Sequence, residues 1–136
     1  MDDLKLLSLA AQAKDKAYAP YSGFRVGAAL VTKEGAVFTG CNVENASYGL
    51  ANCAERTAVF SAVAAGYREF VAIAVSSDSE TYTFPCGACR QVLVEFNPDM
   101  KIIMGNINGE YMMQSAGSLL PFYFNGDSLG KSDGGK

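Results

Sequence analysis

The chain has 136 residues, 49% of them hydrophobic and 18% charged, the make-up of one domain that can bury a core without disulfide support. Eleven basic against fourteen acidic side chains give a net charge of −3, which argues against a face built for polyanions. No segment approaches the ~20 apolar residues of a membrane span, and acidic residues stand at the amino terminus where a signal peptide carries positive charge, so a cytoplasmic protein is expected.

Leu4, Leu7, Ala10 and Ala11 recur at helical spacing, predicting a helix from residue 3 to about 18 that Pro20 and the Ser22-Gly23 pair end. Residues 24–31 read as a strand of small side chains, 33–35 as a turn and 36–42 as the returning strand of a hairpin. Residues 44–52 have no clean period and read as a loop. The Ala-rich stretch 53–65 favours helix, with Gly66 as its stop. A short apolar run at 70–75 suits a buried strand, 83–85 is extended, and Pro85 leads into a second helix over 87–96. Residues 100–104 look like another buried strand, Asn108-Gly109 like a turn, 110–114 like its return, and 118–121 like a short final helix. The Gly-, Ser- and Asp-rich residues 126–136 read as a mobile tail behind a single domain at 1–125. The sum is an α/β domain with one mixed sheet and helices packed on it.

Histidine is absent, so any metal site must use cysteine or carboxylate. The cysteines are Cys41, Cys53, Cys86 and Cys89. Two disulfides are one arrangement of four cysteines, but a Cys-x-x-Cys pair in a reducing compartment more often binds metal or does redox work.

Cys53-Ala54-Glu55 and Pro85-Cys86-Gly87-Ala88-Cys89 both fall at the start of a predicted helix, where unpaired N–H groups and the helix dipole favour a thiolate. Three thiolates on zinc leave a fourth position for water, the arrangement of a catalytic site, whereas a closed structural site would need another ligand. Glu55, two residues from the first ligand, is placed to carry protons. Arg56 is either a hydrogen-bonding partner of the ligand sulfurs that offsets their charge or an ordinary solvated helix arginine. The pairing of Cys-x-Glu with Pro-Cys-x-x-Cys is a known signature of zinc-dependent deaminases, so the identification rests on the pattern and not on spacing alone.

With these motifs in place, the sequence resembles the cytidine deaminase family, in its short-chain form with three cysteine zinc ligands. The resemblance runs from residue 4 to 124. It takes in Ala19-Pro20-Tyr21-Ser22 and the Phe24-to-Leu30 stretch, Gly40-Cys41-Asn42-Val43-Glu44-Asn45-Ala46-Ser47-Tyr48, both cysteine motifs, and Leu119-Leu120-Pro121 with Phe124. It implies a three-layer α-β-α domain around one mixed central sheet. It also implies zinc on Cys53, Cys86 and Cys89, Glu55 as the catalytic proton carrier, and ribose bound by Asn42 and Glu44. Phe24 would pack on the base, and Ala54 would contact it through the backbone. The short-chain class forms homotetramers, so Ala46, Tyr48 and Phe124 are expected to reach a neighbouring subunit's site. Read alone, Asn42 and Glu44 are better taken as a solvated strand end, Phe24 as a core residue, Tyr48 as a loop aromatic and Phe124 as a core or interface residue. An amide and a carboxylate two apart on a continuing strand would nonetheless share a face and could meet a diol.

The implied activity is hydrolytic deamination of cytidine and deoxycytidine to uridine and deoxyuridine, releasing ammonia in pyrimidine salvage, with no redox cofactor. The partner is a small nucleoside, with neither nucleic acid nor membrane expected. Rival readings are a deaminase of another cytosine compound such as blasticidin S, and a noncatalytic zinc module that recruits a fourth ligand, with Cys41 as the candidate.

Overall fold

The computed structural model describes residues 1–130. Helix α1 (Asp3–Lys14) begins at Asp2, whose carboxylate accepts the Lys5 N–H at 2.8 Å and so satisfies one of the free donors of the first turn. It ends earlier than the sequence suggests, because Tyr18 leaves the helix to form a parallel bridge with Val43.

Strands β1 (Val26–Thr32) and β2 (Val37–Cys41) form the expected hairpin. Helix α2 (Ala54–Ala64), strand β3 (Phe70–Ser77), helix α3 (Gly87–Phe96), and strands β4 (Lys101–Gly105) and β5 (Tyr111–Ser115) follow in order. Gly66, at φ +99°, turns the chain out of α2 in a conformation that side chains with a Cβ disfavour. The final helix of the sequence reading is a single 3₁₀ turn, Gly117–Leu119, and Gly126–Leu129 forms another, capped by Asn125. The remainder of the expected tail, residues 131–136, lies outside the described residues.

The strands order as β2-β1-β3-β4-β5. Only β3 and β4 are parallel, joined through α3 as a parallel pair requires; the other neighbours are antiparallel. Alternation along β1 sends Ala28 and Leu30 to one face and Ala29 and Val31 to the other. Leu6, Leu7 and Ala10 of α1 cover the second face, while Ala58, Val59 and Ala62 of α2 and Leu93 of α3 cover the first. This is the α-β-α sandwich, and it explains why β1, β3 and β4 carry nearly unbroken apolar runs.

Two glycines set how closely the layers approach. A Cβ on Gly27 would lie 2.0 Å from the Ala10 carbonyl oxygen, and one on Gly40 would lie 2.5 Å from the Ala54 oxygen and the Ala58 nitrogen. Both helices therefore pack directly on backbone at β1 and β2.

Because β2 and β3 each run antiparallel to β1, they point the same way, and their carboxyl ends leave one edge of the sheet together. The loop after β2 leads to Cys53 and the loop after β3 leads to Cys86. The chain entering β1 at Val26, opposite Ser77, arrives at that same edge. This topology collects the separate motifs of the sequence in one place.

Candidate metal and substrate site

Cys53 is the N-cap of α2 and Cys86 the N-cap of α3, with Cys89 in the first turn behind it. Neither cap side chain accepts a backbone N–H of its own helix, which leaves both sulfurs free to turn toward each other. The sulfurs of Cys53, Cys86 and Cys89 lie within 4.8 Å of one another, graded from buried Cys89 through half-buried Cys53 to exposed Cys86. The cluster is thus anchored in the core and open on one side. Cys41 is not part of it; its Sγ points to the Lys16 carbonyl oxygen at 3.5 Å. The rival reading, a zinc module with a fourth protein ligand, therefore loses Cys41 as its candidate.

The donor set fits zinc. The Cys53 and Cys86 sulfurs are 3.7 Å apart. Two thiolates bound tetrahedrally at ~2.3 Å from one zinc ion are separated by about 3.8 Å. The proton inventory agrees. Hydrogen bonding from Cys89, with help from Arg56 and Cys86, lowers the Cys53 thiol to about 5. The same contact with Cys53, together with burial, pushes Cys89 up. Three adjacent thiols cannot all ionise without positive charge among them, and a divalent cation supplies it. Arg56 Nη2 donates to Cys53 Sγ at 3.3 Å, and its Nε is buried without an acceptor. An orphaned cationic donor beside these sulfurs is what an anionic metal cluster would accommodate.

Glu55 stands in the first turn of α2 with only 4% of its surface exposed. Burial, reinforced by the nearby Cys53 thiolate, raises its carboxyl to about 7. A carboxyl poised near neutrality can both accept and release a proton. Ala54, which opens α2, is fully buried behind it.

The sequence expectation for Asn42 and Glu44 meets a more detailed arrangement. The β1–β2 ladder stops at Cys41, and the chain continues extended, with Val43 bridging both Tyr18 and Asn52. Asn42 Oδ1 accepts the Val26 N–H at 2.8 Å, and its Nδ2 donates to the Phe24 carbonyl at 2.8 Å. Glu44 Oε1 accepts the Tyr21 and Ser22 N–H groups at 3.0 and 3.1 Å, and Oε2 accepts the Ser22 hydroxyl. Those bonds, led by the Ser22 hydroxyl, hold the Glu44 carboxyl below its usual range. Both side chains therefore clamp the 21–26 segment that carries Phe24. Each keeps some capacity: Asn42 one N–H and one Oδ1 lone pair, and Glu44 one of its four acceptor positions. Tyr21, Ser22, Glu44, Asn45, Tyr48 and Ala51 line a cavity of about 350 Å³ beside this clamp.

Phe24 and Phe124 are both partly exposed, and Ala46 and Tyr48 lie on the exposed loop after Glu44. Sequence reasoning passed over Arg90 and Gln91. Arg90 joins the Pro85 and Leu119 carbonyls at 2.7 and 2.9 Å, and Gln91 Nε2 donates to the Phe124 carbonyl at 2.7 Å. Together they fasten the carboxyl-terminal segment to the Cys86–Cys89 helix. The sequence places Ser22 in a helix stop and in the segment that resembles the family, with no role of its own. A serine two residues before Phe24 was the available signal, since such a hydroxyl commonly accepts the N–H two residues on.

The comparisons with known proteins agree with this geometry. The family model for the cytidine and deoxycytidylate deaminase zinc-binding region matches residues 1–106. A cytidine deaminase from Halalkalibacterium halodurans is 50% identical over 95% of this chain and 98% of its own. One from Sporosarcina psychrophila is 46% identical over 95% and 96%. The crystal structure of cytidine deaminase from Burkholderia pseudomallei superposes with a TM-score of 0.89 at 57% identity, over 91% of this chain and all of that one. Helix-capping cysteines, a buried carboxyl beside them and a family match through both motifs converge: the chain belongs to the zinc-binding cytidine and deoxycytidylate deaminase family.

Proposed function

We propose that this chain hydrolyses the exocyclic C–N bond of cytidine and deoxycytidine, giving uridine or deoxyuridine and ammonia, with residues 1–125 as the catalytic domain. The observation that carries the reading is the buried Glu55 carboxyl next to a three-thiol cluster that caps two helices. Cys53, Cys86 and Cys89 would hold zinc, with Arg56 offsetting the charge on Cys53. When bound, zinc supplies Lewis acidity that makes water acidic near neutral pH.

The remaining chemistry falls to the chain. Glu55 takes a proton from the attacking water and delivers it to ring N3, which makes C4 more electrophilic. Once water oxygen has bonded to C4, the same carboxylate takes the second proton from that new hydroxyl and passes it to the amine, so C4=O forms as the C4–N bond breaks and ammonia leaves. Phe24 packs on the base, and the Ala54 backbone at the start of α2 contacts it. Asn42 and Glu44 bind the sugar with the capacity left after their loop contacts. The free Asn42 N–H and the free Glu44 acceptor position together suit a sugar hydroxyl that both donates and accepts. Among the described residues no Lys or Arg lines the 350 Å³ cavity beside Glu44, so that cavity offers no cation to a phosphate, in keeping with a neutral nucleoside.

The reading extends to a cytoplasmic homotetramer. Four free cysteines suit a reducing compartment, and no helix among the described residues is long and apolar enough to cross a membrane. Tyr48 is 81% exposed, and Phe122 and Phe124 are also left open on the single chain, surface that association would bury. Ala46, Tyr48 and Phe124 would then complete a neighbouring site.

Zinc content measured alongside ammonia release from cytidine tests the activity. About one zinc per chain with turnover lost on chelation is expected, and turnover by zinc-free protein would overturn the reading. Sedimentation paired with activity on dilution tests the assembly; a fully active monomer would exclude shared sites.

A further inference from the structure

We infer that Ser22 is a positioning residue for sugar recognition, its single hydroxyl fixing the carboxylate that reads the substrate. The inference rests on the proposal that Glu44 binds the sugar.

The Ser22 hydroxyl lies 2.5 Å from Glu44 Oε2 and 3.0 Å from the Phe24 nitrogen. A backbone nitrogen can only donate, so the Phe24 N–H occupies a lone pair of Oγ. The one O–H proton is then left for Glu44, which is held ionised and accepts only. The direction of the bond is therefore set by chemistry and not by choice of rotamer. The Tyr21 and Ser22 N–H groups hold Oε1. Among the described residues Ser22 alone holds Oε2, the oxygen with acceptor capacity to spare for a substrate hydroxyl.

Local backbone keeps this hydroxyl in place. Gly23, at φ +70°, turns the chain between Ser22 and Phe24, and its N–H is bound to the Ala19 carbonyl at 2.9 Å. Asn42 fixes the far side of the turn through Phe24 and Val26. Ser22→Ala removes the bond to Oε2 and the acceptor of the Phe24 N–H, while the two backbone donors to Oε1 and the Asn42 bond to the Phe24 carbonyl remain. The carboxylate stays attached but can rotate about the held oxygen. That change should weaken binding of a sugar hydroxyl without touching the proton chemistry at Glu55.

The test is steady-state kinetics of zinc-loaded wild type, Ser22→Ala, Ser22→Thr and Glu44→Gln. Cytidine is the substrate, and 2′,3′-dideoxycytidine, which lacks the hydroxyls Glu44 could accept, is the competing ligand. Ser22→Ala is expected to raise KM for cytidine about tenfold, the scale of one charge-assisted hydrogen bond, with kcat within about twofold. Ser22→Thr, which keeps the hydroxyl, should restore KM, and the competition constant of the dideoxynucleoside should not move. An unchanged KM in Ser22→Ala while Glu44→Gln raises it would overturn the role of Ser22 alone. An equal weakening of both nucleosides would also overturn it, since the effect would then bypass the sugar hydroxyl. An unchanged KM in Glu44→Gln would instead remove the sugar role of Glu44, and the inference with it. Should Ser22→Ala fail to fold, Ser22→Cys, of similar shape but a weaker donor, carries the same comparison.

Discussion

Arg56 donates from Nη2 to the sulfur of Cys53 at 3.3 Å, so the cation sits one helical turn beyond the thiolate it stabilises on α2. Cys53 caps the helix and Arg56 occupies its first turn, a spacing that places the two on one face. Its Nε is buried without a partner, a cost that an acceptor among the sulfurs would relieve.

Arg56→Gln keeps much of the side chain's length and removes its charge. Zinc affinity should fall by roughly 10- to 100-fold, the usual effect of losing a partner of a metal ligand. Chelator competition measures this directly. Equal zinc retention and an unaltered pH–rate profile would return Arg56 to the status of an ordinary helix arginine.

Glu55→Gln preserves shape and burial but cannot carry a proton. Turnover should drop by about 10²- to 10⁴-fold while zinc content stays near one per chain. The informative comparison is kcat with metal stoichiometry on the same preparation. Normal turnover would show that another group moves the protons.

The buried carboxyl also predicts how the zinc-free protein responds to pH. Glu55 rises from 4.5 to about 7 on folding, so its contribution to stability is full below pH 4.5 and is lost as pH climbs through about 7. Cys53 runs the other way, from 9.0 to about 5, and its contribution is lost as pH falls from 9 through about 5. Relative to Glu55→Gln, the wild-type chain should lose up to about 3 kcal/mol between pH 4.5 and 7. Denaturant titrations of both proteins across that interval give the difference. A constant difference would mean that Glu55 ionises as it does in the unfolded chain.

Gly40→Ala should harm the metal site from a strand position that touches no ligand. The new Cβ would lie 2.5 Å from backbone atoms at Ala54 and Ala58, so α2 must shift. Overpacking of this kind costs about 1–3 kcal/mol. Lower Tm together with weaker zinc binding is expected. A lower Tm with unchanged zinc affinity would show that the α2 terminus moves independently of its packing on β2.

Much of the site was legible in the chain because it is built from short-range chemistry. Cys53-x-Glu55 and Cys86-x-x-Cys89 sit where helices start, and capping preference fixes that locally. The element order followed from apolar periodicity, with α3 at the same residues the sequence indicates. Boundaries slipped where distant partners intervened, as when Tyr18 left α1 to pair with Val43.

By itself, then, the sequence determined the ligand types, the absence of imidazole, the helices that carry the thiols and the layered α/β plan. These depend on residue chemistry and on neighbours within a few positions. Only the tertiary structure decided that β2 and β3 run in the same direction and deliver Cys53 and Cys86 to one edge of the sheet. It alone excluded Cys41 from the cluster, buried Glu55 and tied Glu44 to Ser22 across the chain. Such relationships arise from strand pairing and burial, which act between residues far apart in sequence and leave no local pattern to read.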